Sequence, residues 1–234
     1  MQPPKIKLFL DCADIKAIRD AAERPEVAGV TTNPTLARKA GVTSYIDFCR
    51  EAVTCGKPIS FEVISDQPPA MLREAKKLAS LGKNVYVKIP VTDCEGVSSA
   101  AVIRELSQEG VQVNATAVFT LDQVWAVGNA LQGGAPSVIS VFAGRIADAG
   151  VDPVPLVSAA SVACRAFGRS IELLWASSRE LYNVVQAEQA GCDIITITPD
   201  LFKKLGSLGK SLDAFSLDTV RMFTSDAKAS GFSL

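Results

Sequence analysis

Residues 111–131 read VQVNATAVFTLDQVWAVGNAL, which places a strand pattern directly before a helix pattern. The first part, 111–118, is short and rich in β-branched residues, as is typical of a buried strand. The helix that follows has apolar residues at the i, i+3, i+4, i+7 spacing. Thr120 and Gln123 fit a capping box and mark where this helix begins. This stretch therefore predicts one strand–helix unit.

The same unit recurs along the whole chain. Seven further apolar segments predict strands, and amphipathic stretches such as 71–79 lie between them. Pro68 and Pro153 stand where first helical turns are expected, and Ser177 with Glu180 fits a second capping box. Eight units without a Gly-, Pro- or Ser-rich linker predict one (β/α)8 barrel domain spanning residues 1–234. The eight predicted strands are 7–11, 29–33, 59–64, 85–90, 111–118, 138–142, 171–177 and 193–198.

The tail after Leu201 is longer than a helix that closes a barrel requires. We expect a C-terminal helical extension over residues 206–234, with a helix at 212–227. A helix beyond the barrel has a neighbouring subunit as its natural packing partner, so we expect a homo-oligomer.

The sequence contains no histidine. This absence excludes a His general base, the Ser-His-Asp and Cys-His arrangements, and zinc sites with His ligands. Acid–base chemistry must therefore use Asp, Glu, Lys, Tyr or Cys. The 24 basic and 25 acidic residues give a formal net charge of −1, so no electrostatic footprint for nucleic acid or an anionic membrane is expected. There is also no GxGxxG or Walker A motif, which argues against dinucleotide and P-loop sites.

The chain has no sequence feature of a membrane or secreted protein. No apolar run reaches the ~18 residues of a membrane span, and the N-terminus lacks the apolar segment of a secretory signal. The six cysteines are scattered without a CxxC pair, which favours reduced and mostly buried thiols. We therefore expect a cytoplasmic location.

Barrel enzymes place their functional groups at the C-terminal ends of the strands. Successive side chains of a strand point to opposite faces. One face of the first predicted strand therefore holds Phe9 and Asp11, and one face of the third holds Ser60, Glu62 and Ile64. In the same way, Tyr86 and Lys88 share a face of the fourth strand, and Asn114, Thr116 and Val118 share a face of the fifth. If these faces point inward, one lysine, two carboxylates, two amides and several hydroxyls meet at the mouth. The polar residues that interrupt or end predicted strands are Asp11, Asn33, Glu62, Lys88, Asn114, Thr116, Ser140 and Ser177.

Lys88 lies in an apolar strand with no ion-pair partner beside it in the sequence. Burial disfavours the charged ammonium, and the neutral amine is a nucleophile toward carbonyl groups. The pattern thus suggests a Schiff-base lysine, and the alternative is a strand-end lysine whose amine reaches solvent.

The other polar residues have structural alternatives as well. Glu62 could form a purely structural pair with Lys88, and Asp11 could cap the helix near residue 15, although Asp14 competes for that position. Asn33, directly before Pro34, fits a turn. Thr116 and Ser140, taken singly, are ordinary strand hydroxyls.

Two arginines follow late strands. Arg145 comes after the sixth strand and Arg179 after the seventh, near Ser177. Arginine beside a helix N-terminus suits a phosphate group, because backbone N–H groups and a bidentate donor converge there. The alternative is that each arginine is solvated and pairs with a nearby acidic residue, namely Glu180, Asp148 or Asp152.

Taken in order, seven segments of the chain resemble the small transaldolase and fructose-6-phosphate aldolase family of class I aldolases. They are 8–14, 29–35, 85–92, 114–119, 142–146, 176–179 and 191–196. The resemblance implies a Schiff-base Lys88, an acid/base Asp11, and a Glu62 that moves protons through a water held with Thr116. It also implies that Asn33, Asn114 and Ser140 bind the dihydroxyacetone end of the substrate, and that Arg145, Ser177 and Arg179 bind its phosphate.

Two positions favour the transaldolase branch of that family. Relatives that act as simple aldolases tend to have Gln at the Glu62 position and Tyr at the Phe142 position. A phenol could protonate the dihydroxyacetone carbanion and release it, whereas phenylalanine cannot. The resemblance thus implies transfer of a dihydroxyacetone unit from fructose 6-phosphate or sedoheptulose 7-phosphate to an aldose phosphate, in a homo-oligomer that could be a decamer, with no metal or organic cofactor.

Three alternatives remain open: an aldolase that releases dihydroxyacetone, a transaldolase for a ketose with another anion such as a sulfonate, and a non-catalytic sugar-phosphate-binding barrel. The chain departs from the family at Cys12, where Thr is usual, at Val141 and Thr198, where Pro is common, and in the segment after Leu201.

Overall fold

A computed structural model of the chain describes residues 4–232 and shows a closed barrel of eight parallel strands in sequential order. The predicted (β/α)8 fold is confirmed. Six strands differ from their predicted ranges by one or two residues at one end or both. Among them, the second strand begins at Val27 and ends at Thr31, two residues earlier than predicted at each end. The strands are β1 (Lys7–Asp11), β2 (Val27–Thr31), β3 (Ile59–Glu62), β4 (Val85–Pro90), β5 (Val113–Val118), β6 (Ser137–Val141), β7 (Ile171–Trp175) and β8 (Ile194–Ile197).

Helices connect the strands on the outside of the barrel, with two helices after β2 and two after β6. Thr120 and Gln123 form the predicted capping box, and Pro68 and Pro153 begin their helices as predicted. The helices are α1 (Ile15–Ala22), α2 (Pro34–Lys39), α3 (Tyr45–Ala52), α4 (Pro68–Ala79), α5 (Ala100–Gln108), α6 (Leu121–Leu131), α7 (Ala143–Asp148), α8 (Pro153–Phe167), α9 (Tyr182–Gln189), α10 (Pro199–Lys203) and α11 (Leu212–Ser230).

The apolar core has two parts, one between the sheet and the helices and one inside the barrel. Inside the barrel, Phe9 packs with residues such as Val138, Leu174 and Ile194. Its ring lies against Gly29 on β2, where an added Cβ would come within 2.5 Å of ring carbons. Glycine at this position therefore lets an aromatic ring fill the barrel below the mouth.

Strand alternation fails at two of the predicted positions. Ala117 has a left-handed backbone (φ 57°) beside an irregularity in the β5–β6 register, so Val118 packs in the outer core instead of sharing the inward face of Thr116. β3 ends at Glu62, and Ile64 lies beyond it with 61% of its surface exposed. The predicted inward positions of Val118 and Ile64 are therefore wrong.

Helix α11 confirms the predicted C-terminal helix and extends it to Ser230. None of its residues is buried, although Phe215, Val220, Met222 and Phe223 are apolar and at least 46% exposed. Of the six cysteines, Cys12, Cys49, Cys164 and Cys192 are buried, as expected, and all six are free thiols. Within residues 4–232, no helix combines the length and the apolar character that crossing a bilayer requires.

Candidate active site

A cavity of about 460 Å³ opens at the C-terminal mouth of the barrel. Strand register explains the gathering of its side chains, because Asp11 lies beside Thr31, and Glu62 beside Lys88, at the ends of adjacent strands. A groove of similar size (about 520 Å³), around Lys83 at the other end of the barrel, contains none of the predicted site residues. The predicted site residues that line the mouth cavity are Asp11, Asn33, Glu62, Lys88, Thr116, Ser140, Phe142, Arg145, Ser177 and Arg179.

Lys88 lies inside the barrel and is only 5% exposed. Its Nζ donates a hydrogen bond to the carbonyl oxygen of Thr32 at 3.0 Å and lies 3.8 Å from Oε2 of Glu62. The alternative in which this amine reaches solvent is therefore wrong. The amine faces the cavity, and Glu62 is the one carboxylate among residues 4–232 within ion-pair distance of it, which leaves the amine accessible to a bound carbonyl compound.

Glu62 ends β3 with 19% of its side chain exposed. Burial raises the pKa of this carboxyl group; the positive charge of Lys88 opposes that change and the negative charge of Asp11 adds to it. A carboxyl group with a raised pKa keeps its proton to higher pH than an ordinary carboxyl group, which makes it a better general acid. The pairing with Lys88 is thus compatible with a role in acid–base chemistry.

Asp11 occupies the end of β1, and its carboxylate accepts a hydrogen bond from the Thr31 hydroxyl at 2.7 Å. Thr31 Oγ1 also lies 2.5 Å from Thr196 Oγ1, and because the Thr31 proton is directed at Asp11, Thr196 is the donor between the two hydroxyls. Burial raises the pKa of Asp11, while Lys88 and the Thr31 hydrogen bond oppose the increase. The cap of α1 is Asp14, whose side chain accepts from the N–H of Ala17, so Asp11 has no capping role.

Asn114 and Ser140 form a buried polar chain beneath the cavity. Ser140 Oγ donates to Asn114 Oδ1 at 2.7 Å, and Asn114 Nδ2 donates to Ser60 Oγ at 3.0 Å. Thr116 Oγ1 is buried and has no hydrogen-bond partner among residues 4–232. Asn114 is the one predicted site residue that does not itself line the cavity, and it acts on it through Ser140.

Asn33 lies at a helix cap and not in the turn that its place before Pro34 suggested. It caps α2, where its side chain accepts from the N–H of Leu36 at 2.9 Å, and Pro34 follows as the first helical residue. The prediction that Asn33 lies on the second strand is wrong, because the strand ends at Thr31. The residue nevertheless lines the cavity, since α2 begins at the barrel mouth.

The candidates for anion binding follow β6 and β7, with Arg145 in helix α7 and with Ser177 and Arg179 in the loop before α9. Ser177 has a left-handed backbone (φ 66°), and α9 begins only at Tyr182, so the predicted capping box at Ser177 is wrong. The Ser177 carbonyl packs against Gly144, where an added Cβ would lie 1.6 Å from the carbonyl oxygen. The Arg179 guanidinium binds Asp148 through two nitrogens, one of the alternatives foreseen from the sequence, while still lining the cavity. Arg145 lies 5.3 Å from the centre of the Phe142 ring.

Three residues that were not predicted form hydrogen bonds around the two carboxylate-bearing residues, Thr31 and Thr196 at Asp11 and Tyr45 at Glu62. Thr31 and Thr196 carry the same sequence signal as the other candidates, a hydroxyl at the end of a barrel strand. Tyr45 contacts the backbone of Glu62 from helix α3, outside every strand. No sequence signal connects a helical tyrosine to a carboxylate seventeen positions away.

A closed (β/α)8 barrel with its polar cavity at the C-terminal mouth belongs to the class of barrel enzymes. Within that class, the sequence profile of the family described as transaldolase/fructose-6-phosphate aldolase matches residues 8–234, so the chain belongs to this family. The predicted family resemblance is confirmed, and the assignment indicates an enzyme of the transferase type.

The chain is similar to several proteins of that family. A protein from Methanococcus maripaludis named probable transaldolase is 36% identical over 200 residues, covering 86% of this chain and 89% of that protein. A probable transaldolase from Thermoplasma volcanium is also 36% identical, over 86% of this chain and 87% of that protein. One from Thermoanaerobacter sp. is 36% identical over 82% of this chain and 85% of that protein.

Solved structures show the same fold at low sequence identity. Thiamine phosphate pyrophosphorylase from Pyrococcus furiosus aligns with a TM-score of 0.55 at 12% identity, over 83% of this chain and 86% of that one. A designed cube-shaped protein cage aligns with a TM-score of 0.55 at 16% identity, over 97% of this chain and 80% of that one.

Proposed function

We propose that the protein is a transaldolase that transfers a dihydroxyacetone unit from a ketose phosphate to an aldose phosphate through a Schiff base on Lys88. The observation that carries this proposal is the buried Lys88 amine facing the mouth cavity with the Glu62 carboxylate 3.8 Å away. Fructose 6-phosphate and sedoheptulose 7-phosphate are the proposed donors, by family resemblance, which also points to the pentose phosphate pathway.

The first half of the reaction forms the imine. The neutral Lys88 amine attacks the C2 carbonyl carbon, and one proton passes from the Lys88 nitrogen to the carbonyl oxygen by way of the Glu62 carboxyl group, which gives a neutral carbinolamine. Glu62 then donates a proton to the departing hydroxyl, which leaves as water and gives the iminium ion. Thr116, whose hydroxyl is free for a partner, is proposed to hold the water between Glu62 and the reacting carbon.

The second half breaks and remakes a carbon–carbon bond. Asp11 takes the proton of the C4 hydroxyl as the C3–C4 bond breaks, and the bonding electrons move to the iminium nitrogen to give an enamine. The aldose phosphate leaves, and the enamine attacks the aldehyde carbon of an acceptor. Asp11 returns its proton to the new C4 oxygen, and hydrolysis frees the product ketose from Lys88. The iminium is the electron sink, so the proposed reaction requires no metal or organic cofactor.

The cavity offers polar groups for both ends of the substrate. Asn33 and Ser140 are proposed to bind the hydroxyls of the three-carbon unit, with Asn114 taking part through its hydrogen bond to Ser140. Arg145, Ser177 and Arg179 are proposed to bind the phosphate, because guanidinium groups match its geometry. Phe142, in the place of a phenol, supplies no proton to the enamine, which favours transfer over release of dihydroxyacetone.

Borohydride trapping tests the Schiff base. With donor ketose and borohydride, we expect a covalent mass on Lys88 and none after Lys88→Met, whereas the exposed Lys83→Met variant should trap like the wild type. Absence of that mass from the wild type, or full activity of Lys88→Met, would refute the proposal and favour a non-catalytic sugar-phosphate-binding barrel.

A kinetic panel separates the remaining alternatives. Cleavage measured without acceptor should be much slower than with erythrose 4-phosphate, and comparable rates would identify an aldolase that releases dihydroxyacetone. The panel includes ketoses with a sulfonate in place of the phosphate, because the same arginines would bind either anion.

We also propose a homo-oligomer in which α11 packs on a neighbouring subunit, with a decamer as the state that family resemblance suggests. The exposed apolar residues of α11 support this proposal. Sedimentation velocity of the full chain and of a variant with Phe215 and Phe223 changed to Ser tests it, since the variant should dissociate. The proposed partners are sugar phosphates and copies of this chain, with no nucleic acid or membrane, in the cytoplasm.

A further inference from the structure

The carboxyl end of β3 lacks a strand neighbour on one side. β2 pairs with β3 only as far as Thr31 opposite Ser60, and the N–H of Thr32 donates to the Ser60 carbonyl. The chain then leaves the sheet to begin α2. Backbone groups of alternate strand residues point to opposite sides, so the N–H and C=O of Glu62 face the side that β2 has vacated.

The hydroxyl of Tyr45 satisfies both of these backbone groups. It accepts a hydrogen bond from the Glu62 N–H at 2.9 Å and donates one to the Glu62 carbonyl oxygen at 3.0 Å. Unpaired buried backbone groups are costly, so this double hydrogen bond replaces the contacts that a longer β2 would supply. One phenol thus holds the residue that carries the carboxylate next to Lys88.

Packing fixes the position of that phenol. Tyr45 is the first residue of α3, and its ring stacks on Phe48 with 6.2 Å between ring centres. Phe48 in turn packs edge-on against Phe61 of β3 at 6.1 Å. Burial raises the pKa of the Tyr45 phenol, which keeps the hydroxyl protonated and able to donate.

We propose that Tyr45 is a positioning residue that fixes the Glu62 carboxylate relative to the Lys88 amine by holding both backbone groups of Glu62. The inference rests on the proposed function, since it concerns the proton transfers of imine formation. A misplacement of about 1 Å in a catalytic group can cost about 100-fold in rate. The end of β3 is free of β2, so loss of the phenol hydroxyl removes its anchor on that side.

The decisive variant is Tyr45→Phe, which keeps the ring and removes one oxygen. We expect the rate of imine formation on Lys88 to fall by about 10- to 100-fold in this variant. The rate is measured by rapid quenching of the reaction into borohydride. Tyr86→Phe is the matched control, because this partly buried tyrosine lies near Lys7 and Glu172, away from the mouth cavity. It should form the imine at the wild-type rate.

The pH profile gives a second signature. Asp11 and Lys88 face Glu62 across the cavity, and burial holds the pKa of Glu62 high. A Glu62 released from its anchor gains solvent, so its pKa falls. The limb of the imine-formation profile that reports Glu62 should therefore move to lower pH in Tyr45→Phe and stay in place in Tyr86→Phe.

A double-mutant cycle separates positioning from a general loss of structure. If Tyr45 acts through the Glu62 carboxylate, Tyr45→Phe should slow imine formation by less than about 3-fold in a Glu62→Gln background. Losses that multiply in the double variant would overturn the proposal, as would wild-type imine formation in Tyr45→Phe. Glu62→Asp keeps the phenol and withdraws the carboxylate by one methylene, so this variant should also form the imine slowly. Full activity of Glu62→Asp would contradict the proposal even if Tyr45→Phe did not fold. If the wild type itself traps no substrate on Lys88, the proposed function fails, which is a different result from any of these.

Discussion

Changing Thr31 to Val should shift the pH dependence of carbon–carbon bond cleavage, because Thr31 donates a hydrogen bond to the Asp11 carboxylate at 2.7 Å. Valine keeps the branched shape and removes the hydroxyl. Hydrogen bonds to charged groups are worth about 1.5–3 kcal/mol, and one pKa unit corresponds to about 1.4 kcal/mol. The bond stabilises the ionised form of Asp11, so its loss should raise the pKa of Asp11 by about one to two units.

The assay is kcat/KM for donor cleavage with a saturating acceptor, measured across the acidic limb. Asp11 must be ionised to accept the C4 proton, so the limb should move up by about one to two pH units. Thr31→Ser restores the hydroxyl and should return the limb to its wild-type position. Thr196→Val, which removes the 2.5 Å bond to Thr31, should shift the limb in the same direction but by less. An unmoved limb in Thr31→Val would refute the assignment of Asp11 as the base.

Three further predictions follow from the charges and close contacts of the site. Because burial raises the pKa of Asp11, folding favours its protonated form and stability should fall as pH rises from its ordinary pKa through the raised one; thermal unfolding of Asp11→Asn across pH should show a smaller fall than the wild type. Asp148→Asn frees Arg179 from an exposed ion pair worth about 0–1 kcal/mol, so the inhibition constant of inorganic phosphate should fall by up to about 5-fold. In Gly144→Ala the new Cβ meets the backbone carbonyl of Ser177, so we expect KM for the ketose phosphate to rise more than kcat falls and stability to drop by about 1–3 kcal/mol. Gly206→Ala, with open space around it, should behave as the wild type.

The sequence was sufficient to predict the barrel because each strand is a short apolar segment followed by a marked helix start. Its errors lie at strand ends, where local hydrogen bonds compete with the sheet. Asn33 and Pro34 suit the start of a helix better than the end of a strand, so β2 ends at Thr31. The left-handed Ala117 reverses the direction of Val118, and an ordinary alanine gives no sequence sign of that conformation.

The candidate site could be predicted as a set of residues, since parallel strands bring their carboxyl ends to one rim. Which alternative holds for each residue depends on contacts between segments that are distant in the sequence. Whether Lys88 faces solvent depends on the depth at which β4 enters the barrel, and whether Arg179 pairs with Asp148 depends on how two loops approach each other. Tyr45 reaches Glu62 because α3 packs beside the end of β3, where β2 has already left the sheet. No residue spacing in the sequence indicates this contact.

The absence of histidine gives the arrangement of the two carboxylates its meaning. Ordinary carboxyl groups are ionised at neutral pH and are poor acids, so a site without imidazole needs carboxyl groups whose protonated forms are accessible. Burial shifts the pKa of both Asp11 and Glu62 in this direction, while the charge on Lys88 opposes the increase in each. The two groups also differ in what holds them. The Asp11 side chain accepts a hydrogen bond from the Thr31 hydroxyl, whereas Glu62 is held through its backbone. The side-chain bond favours the ionised form of Asp11, which the proposed removal of the C4 proton requires. The backbone hydrogen bonds hold Glu62 without occupying its carboxyl group, which the proposed proton transfers of imine formation require.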